Sequence, residues 1–151
     1  MPYRFSPVAP EDVALLRALL AVFADAFDDA VAYAGAPPSD DYLVRTLSQP
    51  HVVVLVALDA DDTVVGGLIA YRLDKLERAR SEFYIYDLAV QEAHRRRGIA
   101  TGLIRTLGAI AKQQGAWVMF VQADLTDPPA IALYQSLGVR EDVLHFDLPL
   151  E

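Results

Sequence analysis

An acidic side chain, Asp87, lies in the middle of a segment whose neighbours are typical of a β-strand. The segment reads EFYIYDLAV, residues 82–90, and it is rich in aromatic and β-branched residues. One interpretation is structural, with the carboxylate hydrogen-bonded to the backbone of a bulged or capped strand. The other is chemical, because a carboxylate at a cleft can bind an ammonium group and accept its proton.

Three arginines and a glycine follow this strand and come directly before an amphipathic helix. The segment RRRGIA, residues 95–100, fits the pattern Arg/Gln-x-x-Gly-x-Gly/Ala. The first N–H groups of a helix are unpaired and carry partial positive charge, which suits a phosphate group, and arginine adds charge-assisted hydrogen bonds. The segment therefore predicts an anion-binding helix N-terminus. A basic turn that only caps the helix is the alternative.

The charge of the rest of the chain has the opposite sign. The formal net charge is −8, which repels nucleic acid phosphates and anionic lipid and attracts cations. Acidic clusters occur at residues 25–29, 39–41 and 59–62. The last lies between two apolar strands and predicts a hairpin turn. The other two border helices, and they are either solvated surface or the lining of a site for a polycation.

Composition excludes several kinds of chemistry. Cysteine is absent, which excludes disulfides, thiolate metal ligands and a cysteine-bound acyl intermediate. The three histidines, His51, His94 and His145, have no ligand spacing, so we predict no metal site. No apolar run reaches the roughly 20 residues of a membrane span, and the start of the chain lacks the regions of a signal peptide. We expect a cytoplasmic protein that binds neither membrane nor nucleic acid.

The elements that must position these residues form one α/β domain over residues 1–151. The first half predicts a strand at 3–6, a helix from about Pro10 that the segment AYAGAPP interrupts, and a second helix capped by Ser39 or Asp40. A hairpin follows at residues 51–73, where the Gly66–Gly67 pair permits a bulge.

The second half predicts a strand at 81–90, a helix at 98–113, and the strand AWVMFVQA at 116–123, buried on both faces. A short helix capped by Asp127 and a final strand at 142–148 complete the chain. A strand–helix–strand crossover at the centre favours parallel pairing.

These motifs in this order resemble the GNAT acyltransferase superfamily, which uses acetyl-CoA. RRRGIA lies between a strand ending in DLAV and an amphipathic helix, and DPPAIALYQSLG follows the next strand. The segments SEFYIYDLAVQEAHRRRGIATGLI, VQADLTDPPAIALYQSLGVRED and HFDL are also similar to the aminoglycoside 3-N-acetyltransferases of the gentamicin-modifying group, as is the region around YAGAPPSDDYL.

The resemblance implies a mixed central sheet with a splayed pair of parallel strands flanked by helices. It implies direct acetyl transfer, in a ternary complex, to the 3-amino group of the deoxystreptamine ring of an aminoglycoside, a polycationic small molecule. An open sheet edge near the C-terminus makes a homodimer possible. Two other functions stay open: a GNAT acetylase of another amine, such as a polyamine or a peptide N-terminus, and a non-catalytic acyl-CoA-binding regulator.

The resemblance also assigns roles to residues. Asp87 would be the base and ammonium anchor, the N–H of Leu88 would stabilise the oxyanion, and Tyr134 would protonate the departing thiolate. The residues expected to bind acetyl-CoA are Leu88, Ala89, Val90, Arg95, Arg96, Arg97, Gly98, Ile99, Ala100 and Thr101. The acceptor would meet Asp87, Asp147, Glu82 and Asp124. Weaker candidates for the acceptor are Asp28, Asp29, Asp40 and Asp41.

Overall fold

A five-stranded mixed sheet organises the fold. The computed structural model describes residues 2–151. The strands lie in the order in which they occur along the chain, with the pairs antiparallel except for the last, parallel pair. They are β1 (Arg4–Pro7), β2 (Val52–Leu58), β3 (Val64–Asp74), β4 (Ser81–Val90) and β5 (Ala116–Val121). The predicted parallel pairing across the central crossover is therefore confirmed.

Five α-helices flank the sheet. They are α1 (Val13–Ala26), α2 (Ala30–Ala34), α3 (Asp40–Leu47), α4 (Ile99–Gln113) and α5 (Pro128–Leu137). Short 3₁₀ turns at Pro10–Asp12 and Glu92–His94 precede α1 and α4. Two predicted caps are confirmed, because the Ser39 side chain accepts the N–H of Tyr42 and the Asp127 side chain accepts the N–H of Ala130. Each cap pairs one of the N–H groups that a helix start leaves free.

The sheet separates two hydrophobic cores. On one face, α1 and α3 pack through residues such as Leu19, Phe23 and Leu43. On the other face, α4 packs through Leu103 and Leu107. The periodic apolar residues of α1 and α4 thus cover opposite faces of the sheet, as their spacing requires.

Gly67 allows α1 to approach the sheet closely. A Cβ at Gly67 would overlap the side chain of Leu19 and the carbonyl oxygen of Leu55. The bulge predicted at the glycine pair lies one residue earlier. Ala57 pairs with Gly66 and Leu58 pairs with Val64, which leaves Val65 as the extra residue of β3.

Three predictions for the elements were wrong. The segment AYAGAPP was expected only to break α1, but α2 forms at its start, where the Asp29 side chain accepts the N–H of Ala32. β5 was expected to be buried on both faces, yet Trp117 and Val118 are exposed. The final strand predicted at 142–148 does not form; residues 139–151 have no helix or strand. A strand requires a partner for its backbone groups, and none of residues 2–151 pairs with the free edge of β5.

Two glycines of α4 test this packing with one and the same substitution. A Cβ at Gly102 would overlap the ring of Phe5, whereas a Cβ at Gly108 would meet only Met119 Cε at 3.5 Å. We expect Gly102→Ala to lower the free energy of unfolding by about 1–2 kcal/mol through overpacking. We expect Gly108→Ala to raise it by up to about 1 kcal/mol, because alanine is the better helix former. Urea unfolding of both variants measures the difference, and equal effects would contradict the close contact of α4 with β1.

Candidate active site

A bulge in β4 determines which way Asp87 points. Ile69 of β3 pairs with Asp87, and the next residue, Ala70, pairs with Ile85, so Tyr86 is the extra residue of β4. In an unbroken strand Asp87 would share a face with Phe83 and Ile85, both of which are buried against α4. The bulge reverses the alternation at this point and turns Asp87 to the opposite face of the sheet.

Tyr33 is the direct hydrogen-bond partner of Asp87. Its hydroxyl donates to Asp87 Oδ1 at 3.3 Å. Tyr33 belongs to α2, and its ring packs against Phe23 and Phe27 with centroid separations of 6.1 and 5.9 Å. Tyr33 was not among the site residues predicted from the sequence. No local motif marks it, because the contact depends on α2 and on the bulge in β4.

Burial changes the acid–base properties of this pair. Desolvation raises the pKa of the Asp87 carboxyl above its ordinary value, and the hydrogen bond from Tyr33 opposes that shift in part. Desolvation, followed by the charge of Asp87, raises the pKa of Tyr33 to about 12. Tyr33 therefore stays protonated and remains a donor at neutral pH, while Asp87 is a stronger base than an exposed aspartate.

A wall of aromatic side chains continues from Asp87 along the same face. Tyr86 packs edge-on against Tyr71 and Tyr84, with centroid separations of 6.0 and 5.5 Å. Tyr84 stacks on Phe120 at 4.7 Å, and its hydroxyl hydrogen-bonds Gln122. Burial and the charge of Asp87 raise the pKa of Tyr71. These rings and hydroxyls form a surface suited to a polar ring or a cation.

Tyr33 also lies between two pockets. The larger, about 490 Å³, is lined in part by Asp25, Asp28 and Tyr33. The smaller, about 240 Å³, is lined in part by Tyr33, Tyr42 and Tyr71. Tyr33, which donates a hydrogen bond to Asp87, therefore lines the same pocket as two acids of the 25–29 cluster.

The other acids near these helices have structural contacts or lie on the surface. Asp29 caps α2, and Asp40 forms an ion pair with Arg17 at 2.6 Å. Asp41 is exposed in the first turn of α3. The cluster at 59–62 is a hairpin turn, as predicted, because the Asp59 side chain accepts the N–H groups of Asp61 and Thr63.

β4 and β5 separate next to the bulge. Their pairing ends at Ile85 and Val121, so β4 continues to Val90 without a neighbour on that side. The Gln91 N–H donates to Val65 of β3. Since main-chain groups of a strand alternate between its two edges, those of Leu88 and Val90 point toward the open side. Arg95 Nε reaches the Val90 carbonyl there, at 3.1 Å.

The N-terminus of α4 lies at the end of this open edge. Gly98 is its first flanking residue, with φ 78°, and no side chain caps the helix. A Cβ at Gly98 would meet no atom of residues 2–151 within 4 Å, so the backbone conformation rather than packing requires glycine there. Arg95, Arg96 and Arg97 are exposed, and none of them forms an ion pair within the described part of the chain.

These features fit the acetyl-CoA cofactor that the resemblance implies. The first turn of α4 contains Ile99, Ala100 and Thr101, whose N–H groups have no side-chain acceptor. The start of α4 therefore provides N–H donors for an anion. The open edge of β4 beside it provides main-chain groups for an extended amide chain.

The remaining predicted site residues form no hydrogen bond with Asp87, whose side-chain partner within residues 2–151 is Tyr33. Tyr134 is partly buried in α5, and burial, followed by the charge of Asp127, raises its pKa. Glu82 accepts a hydrogen bond from Trp117 Nε1 at 3.2 Å. Asp124 is exposed. Asp147 is exposed and pairs with His145 at 2.9 Å, so these two side chains lie on the same side of the segment.

Two kinds of feature are absent from the described residues. Over residues 2–151, no group of three or more His, Asp or Glu side chains is arranged to hold a metal ion. None of the helices in that range combines the length and hydropathy needed to cross a bilayer.

Comparison with known proteins identifies the family. The description "Acetyltransferase (GNAT) family" matches residues 16–139, which is most of the chain. The chain belongs to the GNAT acetyltransferase family. The predicted fold, a mixed sheet with a parallel pair that separates, is thereby confirmed.

Two proteins of known structure are similar to this chain over nearly their whole length. An aminoglycoside acetyltransferase from an uncultured soil metagenomic sample is 51% identical, with a TM-score of 0.97 over 100% of both chains. A second, from the same kind of sample and crystallised in complex with sisomicin, is 30% identical, with a TM-score of 0.92 over 99% of this chain and 97% of its own.

Human N-acetyltransferase 8 is 31% identical over 55% of this GNAT chain. The match spans only 37% of the human protein's length.

The environment of Asp87 predicts a specific pH dependence of stability. Because the folded-state pKa is raised, the folded protein binds more protons than the unfolded chain between the two pKa values, and stability falls as pH rises through that window. We expect Asp87→Asn, which keeps an acceptor for Tyr33, to be at least as stable as the wild type at pH 7. The difference should shrink as the pH approaches about 4. Urea unfolding at several pH values measures it. A mutant that is less stable at pH 7 but not at pH 4 would give Asp87 a structural role.

Proposed function

We propose that the protein transfers the acetyl group of acetyl-CoA to the 3-amino group of the deoxystreptamine ring of aminoglycosides. The observation that carries this proposal is the position of Asp87: a half-buried carboxylate of raised pKa, held by Tyr33, beside the open edge of β4. The relative crystallised with sisomicin supports the acceptor class.

Acetyl-CoA would be held by the residues at the open edge. Main-chain groups of Leu88 and Val90, with Ala89 between them, would pair with its amide-containing arm. The N–H groups from Arg97 to Thr101 would bind the pyrophosphate, and the guanidinium groups of Arg95 and Arg96 would add charge-assisted contacts. When bound, acetyl-CoA supplies a thioester, which is the activated acyl group of the reaction.

The chain's own residues would then move two protons. Asp87 accepts a proton from the acceptor ammonium, because only the neutral amine forms the new N–C bond. The Leu88 N–H stabilises the negative charge that develops on the carbonyl oxygen as that bond forms. Tyr134 donates its proton to the sulfur as the C–S bond breaks, and the second proton that the nitrogen loses as the amide forms restores the Tyr134 hydroxyl. Its raised pKa keeps it protonated, and therefore able to donate, at neutral pH.

The acceptor surface favours a large polycation with ring hydroxyls. Asp25 and Asp28 line a pocket together with Tyr33, the hydrogen-bond partner of Asp87, and Tyr71, Tyr84 and Tyr86 extend the surface on the other side. Acids spaced around aromatic rings bind several ammonium groups at once, with hydroxyls available for hydrogen bonds. Glu82, Asp124 and Asp147 would lie at or beyond the rim of this surface. A simple amine would use Asp87 alone.

Release of the CoA thiol, measured with acetyl-CoA and a panel of acceptors, tests the proposal. The panel contains aminoglycosides with and without a free 3-amino group, a polyamine and peptides with free N-termini. We expect turnover only with aminoglycosides that carry a free 3-amino group. Faster turnover of a polyamine or peptide would instead make the protein an acetylase of another amine. Binding of acetyl-CoA with no turnover of any acceptor would make it a regulator.

Two glycines at opposite ends of α4 separate cofactor binding from backbone strain. Gly98 and Gly115 both have positive φ, 78° and 82°, and a Cβ at either would meet no atom of residues 2–151 within 4 Å. Valine should strain both sites similarly. We expect Gly98→Val to weaken acetyl-CoA binding by roughly 10-fold or more, because its side chain would point into the anion site. We expect Gly115→Val to leave binding unchanged. Calorimetric titration measures both affinities, and equal affinities would refute the pyrophosphate assignment.

Asp87→Asn tests the role of the base. The substitution keeps the size of the side chain and removes its charge and basicity. We expect acetyl-CoA binding to be normal and kcat with an aminoglycoside to fall on the order of 10²–10⁴-fold at pH 7. Activity should recover in part as pH rises, because more of the acceptor amine is then neutral.

Asp61→Asn, which removes the same charge at the distant hairpin turn, controls for net charge. Unchanged turnover of Asp87→Asn would move the role of base to Asp147 or to water. A raised KM with normal kcat would leave Asp87 as an ammonium anchor only.

A further inference from the structure

The loop before α4, residues 95–98, contains two residues in the left-handed region of backbone conformation. They are Arg96, with φ 63°, and Gly98, with φ 78°. Glycine adopts this conformation at no steric cost, whereas in an arginine the Cβ crowds the neighbouring carbonyl oxygen. A strained backbone of this kind persists only where the surrounding contacts hold it. The shape of the loop therefore depends on the contacts on either side of Arg96.

The arginines on both sides of Arg96 are held by side-chain hydrogen bonds. Arg95 Nε donates to the Val90 carbonyl at 3.1 Å, which fixes the start of the loop to β4. Arg97 Nη1 donates to the hydroxyl of Tyr3, also at 3.1 Å. The second bond fixes the end of the loop to the first strand of the sheet, which lies far away along the chain.

Tyr3 reaches the start of α4 because β1 packs against that helix. It comes directly before β1 and is two residues from Phe5, so in an extended backbone the two rings share a face. Both rings pack against the core that α4 covers. Phe5 lies so close to Gly102 of α4 that a Cβ there would overlap its ring. This packing brings the Tyr3 hydroxyl to Arg97, 94 residues away in sequence.

His94 is the second partner of the Tyr3 hydroxyl. Its Nδ1 lies 2.8 Å from the Tyr3 oxygen, and the two rings meet edge to face with centroids 5.8 Å apart. Because the oxygen already accepts a hydrogen bond from Arg97, its own proton can go to Nδ1, in the tautomer that is protonated on Nε2. His94 ends the 3₁₀ turn that precedes the loop. One hydroxyl therefore joins that turn to the arginine at the end of the loop.

We propose that Tyr3 is a positioning residue for acetyl-CoA, whose hydroxyl holds residues 95–98 in the shape that presents the first N–H groups of α4 to the pyrophosphate. Tyr3 acts through Arg97 and His94. A loop that is already ordered binds an anion more tightly, because its ordering does not subtract from the free energy of binding. The inference rests on the proposed pyrophosphate site and is independent of the proposed acetyl acceptor.

Calorimetric titration with CoA tests Tyr3→Phe, which removes the hydroxyl and keeps the ring against α4. We expect the dissociation constant to rise by about 3- to 10-fold, the effect of losing one hydrogen bond. An unchanged constant would overturn the inference. Gly98→Val, titrated in parallel, shows which assignment has failed. If only Gly98→Val weakens binding, the role of Tyr3 is refuted and the pyrophosphate site stands; if neither does, both are refuted.

Two fragments of the cofactor distinguish positioning of the loop from general damage to the fold. S-Acetylpantetheine has the thioester and the amide arm without phosphate, and 3′-phospho-ADP has the pyrophosphate without the arm. Competition against radiolabelled acetyl-CoA in equilibrium dialysis measures both affinities without any acceptor. We expect Tyr3→Phe to weaken 3′-phospho-ADP by the same factor as CoA and to change S-acetylpantetheine by less than about 2-fold. Equal losses for the two fragments would overturn the inference.

Substitution of two arginines tests whether Tyr3 acts through Arg97. Arg97→Ala removes the hydrogen-bond donor, and Arg105→Ala removes the same charge from an exposed position of α4. We expect Arg97→Ala to weaken CoA binding more than Arg105→Ala does. In the Arg97→Ala background, Tyr3→Phe should raise the dissociation constant by less than about 2-fold, because residues of one network are not additive. Equal effects of the two arginine variants, or a full effect of Tyr3→Phe in the absence of Arg97, would overturn the inference.

Discussion

The extra residue at Tyr86 is the constraint on which the candidate site depends. It changes the alternation of β4, so that Ile85 points into the core beneath α4 while Asp87 points to the opposite face. The pairing with β5 ends one residue before it, at Ile85. The bulge and the separation of the strands thus coincide, and they place a carboxylate of raised pKa beside an open edge of main-chain groups. Removing Tyr86 would restore the alternation and direct Asp87 into an apolar core.

Positive and negative side chains lie on different sides of the candidate site. The protein carries a net charge of −8, yet Arg95, Arg96 and Arg97 stand together at the uncapped start of α4 without carboxylate partners within residues 2–151. The acids of the 25–29 cluster lie near the other face, on α1 and the turn that follows it. An anion and a polycation would therefore approach from sides of opposite sign, and neither would have to displace an internal ion pair first. For a family that joins an anionic cofactor to an amine, this arrangement keeps the two substrates from competing for one surface.

Local signals in the sequence predicted most of what the structure forms locally. The residues 81–90, Ser39, Gly98 and Asp127 occupy the strand, cap and helix positions expected of them, because each depends on neighbours within a few residues. Asp87 was recognised as unusual for the same reason. Tyr33 was missed because its role depends on its own one-turn helix and on a bulge more than fifty residues away along the chain.

The final strand was the larger error, and its physical cause is informative. The alternation of residues 142–148 is typical of a strand, but such a pattern specifies only which face would be apolar and supplies no neighbouring strand to pair with. The prediction that β5 is buried on both faces was wrong for the same reason. Without a neighbouring strand at the free edge of β5, Trp117 and Val118 are exposed. Both errors therefore have one source: within residues 2–151, no strand lies along the free edge of β5.

The proposed use of Asp87 as both ammonium anchor and base contains an apparent conflict, which the burial of the carboxylate would resolve. An ammonium bound at Asp87 stabilises the carboxylate and makes it a weaker base, whereas proton transfer requires a stronger one. Desolvation works in the other direction, because a half-buried carboxylate that has given up water gains from taking a proton. Once the amine is neutral, the attraction that weakened the base is gone, and only desolvation and the Tyr33 hydrogen bond remain. In the proposed reaction the two groups would titrate as a pair, and the proton would pass to Asp87 at the stage where the amine nitrogen is needed as a nucleophile. Tyr33 donates a hydrogen bond that holds the Asp87 carboxylate in place. Because its pKa is about 12, Tyr33 keeps its own proton and does not compete with Asp87 for the proton of the amine.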